Sequence, residues 1–190
     1  MQPTVGILSF QGDFQKHASV CERIGYRTVA VRNSDALTVI DALIIPGGES
    51  TTIGMLIDRF GLLPVIRARI ADGLPVMGTC AGTILLADTI EGSDQVRIGG
   101  MDIVVRRNAY GRQVDSFEER IPIPLVGREP VECVFIRAPA IISAGAGVDV
   151  FASYGGNPIM VRQKNLLTLT FHPELTGDDR IHRYFLENVR

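Results

Sequence analysis

The stretch "PVMGTCAGTILLA", Pro75 to Ala87, decides how the rest of the chain is read. An apolar run of strand type reaches Gly78, a lone thiol follows at Cys80, Gly82 comes two residues later, and apolar residues return at helical spacing from Ile84. A strand that turns sharply into a helix presents the residue at the bend, and flanking glycines relieve the crowding of so tight a turn. The same bend sets the sulfur at the start of a helix, where unpaired N–H groups favour a thiolate and can donate to a developing oxyanion. Taken alone, the pentapeptide 78–82 is equally consistent with a small buried core cysteine.

Working outward, Thr4 to Phe10 reads as a buried strand, and Asp13 to Ile24 as a helix with Phe14, Ala18, Cys21 and Ile24 on its apolar face, closed by Gly25. "YRTVAVR" (26–32) and "DALIIPGG" (41–48) read as two more strands, the second ending in a glycine turn. Residues 52–71 read as helical with a break at Gly61 to Pro64, and Leu74 to Gly78 as the fourth strand. Short, uniformly apolar strands alternating with helices imply a parallel sheet covered on both faces, joined by right-handed crossovers. The second half is richer in strands: "MDIVVRR", "VECVFIRA", "VDVFASY", "PIMVRQ" and "LLTLTFH", separated by glycine, proline and asparagine turns. They are expected to extend the same sheet in antiparallel fashion. Asp178 to Val189 reads as a closing helix with Ile181, Tyr184, Phe185 and Val189 on one face. The expectation is an α/β fold, a single domain over residues 1–190 built as a three-layer sandwich. Its central sheet is mostly parallel with an antiparallel extension, and helices cover both faces.

Composition narrows the function. At 190 residues, 46% hydrophobic and 21% charged, the chain has ample material for one core. A formal net charge of -2 argues against a broad footprint for nucleic acid or anionic membrane, so neither is expected as a partner. The three cysteines, Cys21, Cys80 and Cys133, form no C-x-x-C pair, which gives neither a disulfide framework nor a zinc pattern. A reducing, cytoplasmic setting is expected, with no metal and no cofactor. The start of the sequence has no export pattern, and the chain has no apolar run of about 18 residues that would span a membrane.

Two further stretches carry chemistry. "FHPE" (171–174) puts His172 and Glu174 just after an apolar strand. A lone histidine is more often structural, but here His172 can take the thiol proton while Glu174 fixes its tautomer, the logic of nucleophile, base and orienter. "IIPGGEST" (44–51) places paired glycines at the end of a strand, where backbone N–H groups approach a ligand closely; Ser50 is also expected to cap the next helix. The glycines lack the order of a phosphate-binding P-loop, and Glu49 would repel phosphate. His17 and His182 fall on the two terminal helices and are expected to face solvent.

"PGGES", "GTCAG" and "FHPE", in that order, resemble the class I, triad-type glutamine amidotransferases. Within that class, "GSDQVRIGGMDIVVRRNAYGRQVDSFE" (92–118) and "VFIRAPAI" (134–141) resemble the glutaminase subunits of two-component pyridoxal 5'-phosphate synthases, and the likeness runs essentially end to end. The resemblance implies hydrolysis of L-glutamine to glutamate and ammonia, with ammonia passed to a PdxS-type synthase partner. It implies Cys80 as nucleophile, His172 as general base and then acid, and Glu174 as the orienting carboxylate. The N–H groups of Gly48 and Ala81 would form the oxyanion hole. Gly48, Glu49 and Ser50 would hold glutamine together with Arg107, Ile136 and Arg137, an arginine suiting the substrate carboxylate. The alternatives are a glutaminase serving another synthase, such as that for imidazole glycerol phosphate, a stand-alone cysteine hydrolase, and a thiol sensor without turnover. The "RNAYGRQVDSFE" stretch speaks against the first.

Overall fold

The computed structural model describes residues 3–107, 109 and 116–189. Asn108 and Tyr110–Asp115, within the stretch that carried part of the family resemblance, lie outside the described residues.

The first half folds as β1 (Thr4–Leu8), α1 (Phe14–Arg23), β2 (Arg27–Val31), α2 (Ser34–Thr38), β3 (Ala42–Ile45), α3 (Ser50–Arg59), α4 (Leu62–Ala71), β4 (Val76–Thr79) and α5 (Ala81–Leu86). The second half adds β5 (Ala87–Ile90), β6 (Met101–Arg106), β7 (Ser116–Ile121), β8 (Val131–Ile136), β9 (Ala140–Ala144), β10 (Asp149–Tyr154), β11 (Asn157–Gln163), β12 (Leu166–Leu169) and α6 (Arg180–Asn188). A seven-stranded sheet runs in the order β10-β11-β12-β4-β3-β1-β2. Its pairs from β12 through β2 are parallel, whereas β11 is antiparallel to both β12 and β10.

Alternation along each strand sorts the core into two layers, because successive side chains leave a strand on opposite faces. Leu43, Ile45, Val76 and Leu166 pack with Ile53 and Ile57 of α3, Leu62 and Ile66 of α4, and Leu85 of α5. Ile44, Met77, Leu167 and Leu169 pack on the other face with Cys21 of α1 and Ile181 and Phe185 of α6. Both faces are covered, which is why these strands read as unbroken apolar runs. Each fully buried isoleucine or leucine contributes about 1.5–3 kcal/mol of the driving force.

Local differences from the sequence reading have identifiable causes. Among the described residues, only β10 and β11 form the antiparallel extension: "MDIVVRR" becomes β6, in a separate three-stranded sheet ordered β5-β6-β9, and "VECVFIRA" becomes β8, paired with β7 in a two-stranded sheet. Periodicity predicts a strand but not its partner. The helical break falls at Phe60 and Gly61, the latter left-handed at φ 68, and Pro64 lies inside the first turn of α4, where its missing N–H costs no helical bond. The cap of α3 is Glu49, whose carboxylate accepts from Thr51 N–H at 3.3 Å, and Ser50 is the first helical residue.

Candidate active site

Strands β12, β4 and β3 are neighbours, so their carboxyl ends bring together three loops that are far apart in sequence. Thr79 pairs with Leu169 at the ends of β4 and β12, which sets Cys80 beside the segment leading to His172, while Gly47 to Ser50 leave the end of β3 on the other side. Crevices outside the carboxyl ends of parallel strands are where open α/β sheets bind ligands.

Cys80 occupies the bend that the sequence indicates. It has φ 48 and ψ -100, a backbone conformation that L residues rarely adopt, held by Cys80 N–H donating to Leu169 carbonyl at 2.8 Å. Thr83 Oγ1 donates to the same carbonyl at 2.6 Å and braces the turn. The flanking glycines are steric requirements: a Cβ on Gly82 would stand 2.2 Å from the Ile45 carbonyl oxygen, and one on Gly78 would stand 2.7 Å from the backbone of Gly82. The thiol is 7% exposed and points toward the Ile136 carbonyl at 3.8 Å.

His172 is 4% exposed, and its Nδ1 lies 2.8 Å from Glu174 Oε1. Burial disfavours the imidazolium, but hydrogen bonds and charge attraction from Cys80 and Glu174 outweigh it and raise the pKa from 6.5 to about 10. Burial likewise opposes the Glu174 anion, yet the adjoining His17 and His172 hold its carboxyl well below the usual carboxylate range. Gly47 lets the ring lie flush with the backbone, since a Cβ there would meet His172 Cε1 at 2.3 Å.

The front of the site is polar and open. Gly48 has φ 147 and faces Gly12, whose own Cβ would overlap the Gly47 carbonyl at 1.7 Å, so the Gln11–Gly12 turn rests directly on the glycine loop. Glu49 N–H donates to Gln11 Oε1 at 3.1 Å. Arg107 Nη2 reaches Glu49 Oε1 at 3.0 Å and Nη1 reaches Gln95 Oε1 at 3.0 Å, while the hydroxyls of Ser50 and Thr51 also donate to Gln95 Oε1, each at 3.3 Å. Arg107 is thereby brought to the "PGGES" loop, with Gln95 as the hub. Ile136 ends β8 with its carbonyl beside the thiol, and Arg137, the next residue, has a left-handed φ of 44; Ala81, the first residue of α5, is fully buried next to Cys80.

The two histidines expected in solvent are both fully buried. His17 Nδ1 lies 2.9 Å from His182 Nε2, and His17 Nε2 lies 3.2 Å from Thr79 Oγ1 and 3.4 Å from Glu174 Oε2. The signal was in the spacing. His17 stands three residues from Phe14 and four from Cys21, and His182 three from Phe185 and seven from Val189, so each lies on the apolar stripe of its helix and packs inward. Cys21 and Cys133, by contrast with Cys80, sit in the core, where burial pushes both thiols up to about 12. Among the described residues, Asp13, His172 and Glu174 each offer one possible metal-ligand atom within 4.8 Å of the others, but Asp13 is exposed and the other two already bond to each other. The donor set suits proton handling better than a cation.

Parallel α/β sheets that carry a cysteine elbow beside a histidine–glutamate pair form a recognisable structural class, and this chain falls in it. Residues 7–190 match the SNO glutamine amidotransferase family, and the chain belongs to that family. It is 55% identical over 185 residues to the pyridoxal 5'-phosphate synthase subunit PdxT of Carboxydothermus hydrogenoformans, covering 97% of each chain. It is 56% identical over 183 residues to the PdxT subunit of Pelotomaculum thermopropionicum, covering 96% of this chain and 93% of the relative. A crystal structure of a glutamine amidotransferase superposes with a TM-score of 0.92 at 48% identity, covering 96% of this chain and 97% of the other.

Proposed function

We propose that the chain, as one glutaminase domain over residues 1–190, hydrolyses L-glutamine to glutamate and ammonia for a PdxS-type synthase that builds pyridoxal 5'-phosphate. The observation that carries the reading is Cys80, on a strained elbow, close enough to His172 to raise its pKa, with His172 itself held by Glu174 at 2.8 Å. The PdxT relatives support the choice of pathway.

In this reading His172 takes the Cys80 proton, and the thiolate attacks the side-chain amide carbon of glutamine. The N–H groups of Gly48 and Ala81 receive the resulting oxyanion; losing one such donor typically costs about 10²- to 10³-fold in rate. His172 protonates the departing amine, which leaves as ammonia and a γ-glutamyl thioester on Cys80. Water then attacks the thioester, His172 accepting its proton, and glutamate departs with the thiol restored. Gly48, Glu49, Ser50, Arg107, Ile136 and Arg137 hold the amino-acid end of the substrate, with Arg107 or Arg137 on its carboxylate. No metal or cofactor enters the chemistry.

The setting is cytoplasmic, in keeping with three free cysteines. Among the described residues no helix is long and apolar enough to cross a membrane. The test is ammonia release from L-glutamine with and without a PdxS-type synthase. A rate strongly raised by the synthase is expected, and peptide cleavage with no glutaminase activity in either condition overturns the reading.

A further inference from the structure

We propose that His17 and His182 are positioning residues, a directional chain of hydrogen bonds that reaches the rear oxygen of Glu174 and fixes the carboxylate behind His172. The inference rests on the glutaminase reading for its kinetic consequences, but the chain itself is a matter of geometry.

Glu174 has two oxygens in a fully buried side chain, and His172 accounts for only one of them. Among the described residues Oε2 has no well-aligned hydrogen bond, and His17 Nε2 approaches it at 3.4 Å while also lying 3.2 Å from Thr79 Oγ1. One N–H shared between two acceptors accounts for both the length and the poor alignment. His17 therefore touches the residue preceding Cys80 and the carboxylate behind His172 at once. No apolar residue of the same size can do that.

The network also assigns the protons. Among the described residues His182 Nδ1 is buried without a partner, so a proton there would be a donor with nothing to bond, whereas on Nε2 it bonds His17 Nδ1 at 2.9 Å. His17 Nδ1 is then an acceptor, and its proton sits on Nε2, aimed at Glu174 and Thr79. Burial holds His182 neutral, its pKa pushed down to about 3. The groups facing His17 are thus His182 from α6, Thr79 from β4 and Glu174 from the turn after β12. The His17 Nε2–H steadies the Glu174 oxygen that His172 does not use.

The experiment uses the full-length chain labelled with ¹⁵N-histidine, together with His17→Gln and His17→Leu. Glutamine places an amide N–H near the position of the histidine Nε2, whereas leucine places none. NMR of the wild type should show His17 and His182 each carrying the ring proton on Nε2, with Nδ1 bare. A proton on Nδ1 of either residue overturns the chain. In glutaminase assays with the synthase, His17→Leu should lower kcat about ten- to a hundredfold with KM unchanged, the scale of a small misplacement of a reacting group. His17→Gln should recover most of that loss. A His17→Leu enzyme with normal kcat, or a His17→Gln enzyme as impaired as His17→Leu, overturns the positioning role. If His17→Leu does not fold, His17→Gln and the wild-type tautomers still decide. A wild type that releases no ammonia with the synthase counts against the functional reading alone, because the tautomers are read without turnover.

Discussion

The thiol of Cys80 has a front and a rear built on opposite principles. Behind it, the Glu174 and His17 side chains are 0% exposed and His172 is 5% exposed. In front, the Glu49 side chain is 51% exposed and that of Arg107 32%. Charges at the rear are shielded from water and salt, so they shift the pKa of His172 to about 10 and drive that of Glu174 well down. The Glu49–Arg107 contact at the front is an exposed ion pair of the kind worth about 0–1 kcal/mol. The rear is fixed when the chain folds. The front can exchange its internal contacts for contacts to a ligand.

The sharpest way to break this contrast is at the thiol itself. Cys80→Ala removes the proposed nucleophile, and kcat for glutamine hydrolysis should fall on the order of 10⁶-fold, as when the nucleophile of a catalytic triad is removed. Ammonia release measured with the synthase present checks it. Glu174→Gln comes next, with an expected loss on the order of 10³- to 10⁴-fold, since a neutral amide in place of the orienting carboxylate leaves the imidazole in the wrong tautomer. The same variant should lower the His172 pKa from about 10, because burial would then be opposed by fewer favourable groups. NMR titration of the ring reads this directly.

The pair also predicts a pH window for stability. His172 titrates higher folded than its ordinary 6.5, so its contribution is complete below that value and is lost as pH rises through about 10. Glu174 titrates lower than its ordinary 4.5, so its contribution is present above that value and is lost as pH falls. Thermal unfolding across pH should show the wild type losing stability at both ends, and Glu174→Gln losing less of it at each. Gly47→Ala is the milder assault on the rear. Its methyl would meet His172 Cε1 at 2.3 Å and push the ring away, for an expected drop in kcat of about 10²-fold with KM little changed.

How far each side was legible in the sequence follows from the same contrast. Strand ends and tight turns leave local marks: apolar strands alternating with helices mark the parallel sheet, and "PGGES", "GTCAG" and "FHPE" mark the elbow and the loops at its carboxyl edge. Arg107 is expected from the family resemblance, but its contacts with Glu49 and Gln95 are not, because Gln95 is an ordinary polar residue whose role depends on where its neighbours fold. His17 and His182 were misread for a different reason: a titratable side chain was weighed by polarity when its helical phase placed it inward. The contact between them joins residues 165 apart in sequence, and no local pattern encodes such a pair. Likewise, "MDIVVRR" and "VECVFIRA" were visible as strands but not as members of separate small sheets.

The gentlest test lies at the front. Glu49→Gln keeps a carbonyl oxygen able to cap α3 at Thr51 N–H, so the helix start survives, and what is lost is the charge facing Arg107. Because that pair is half in water, Tm should stay close to wild type, corresponding to less than about 1 kcal/mol. Among the described residues no hydrogen bond or ion pair joins Glu49 to His172, Glu174 or His17, so kcat should hold as well. The expected change is in KM for glutamine alone, raised by about tenfold as a charged contact to the substrate is weakened. A large fall in kcat with unchanged KM would mean that front and rear are coupled, and that the open loop does more than hold the substrate.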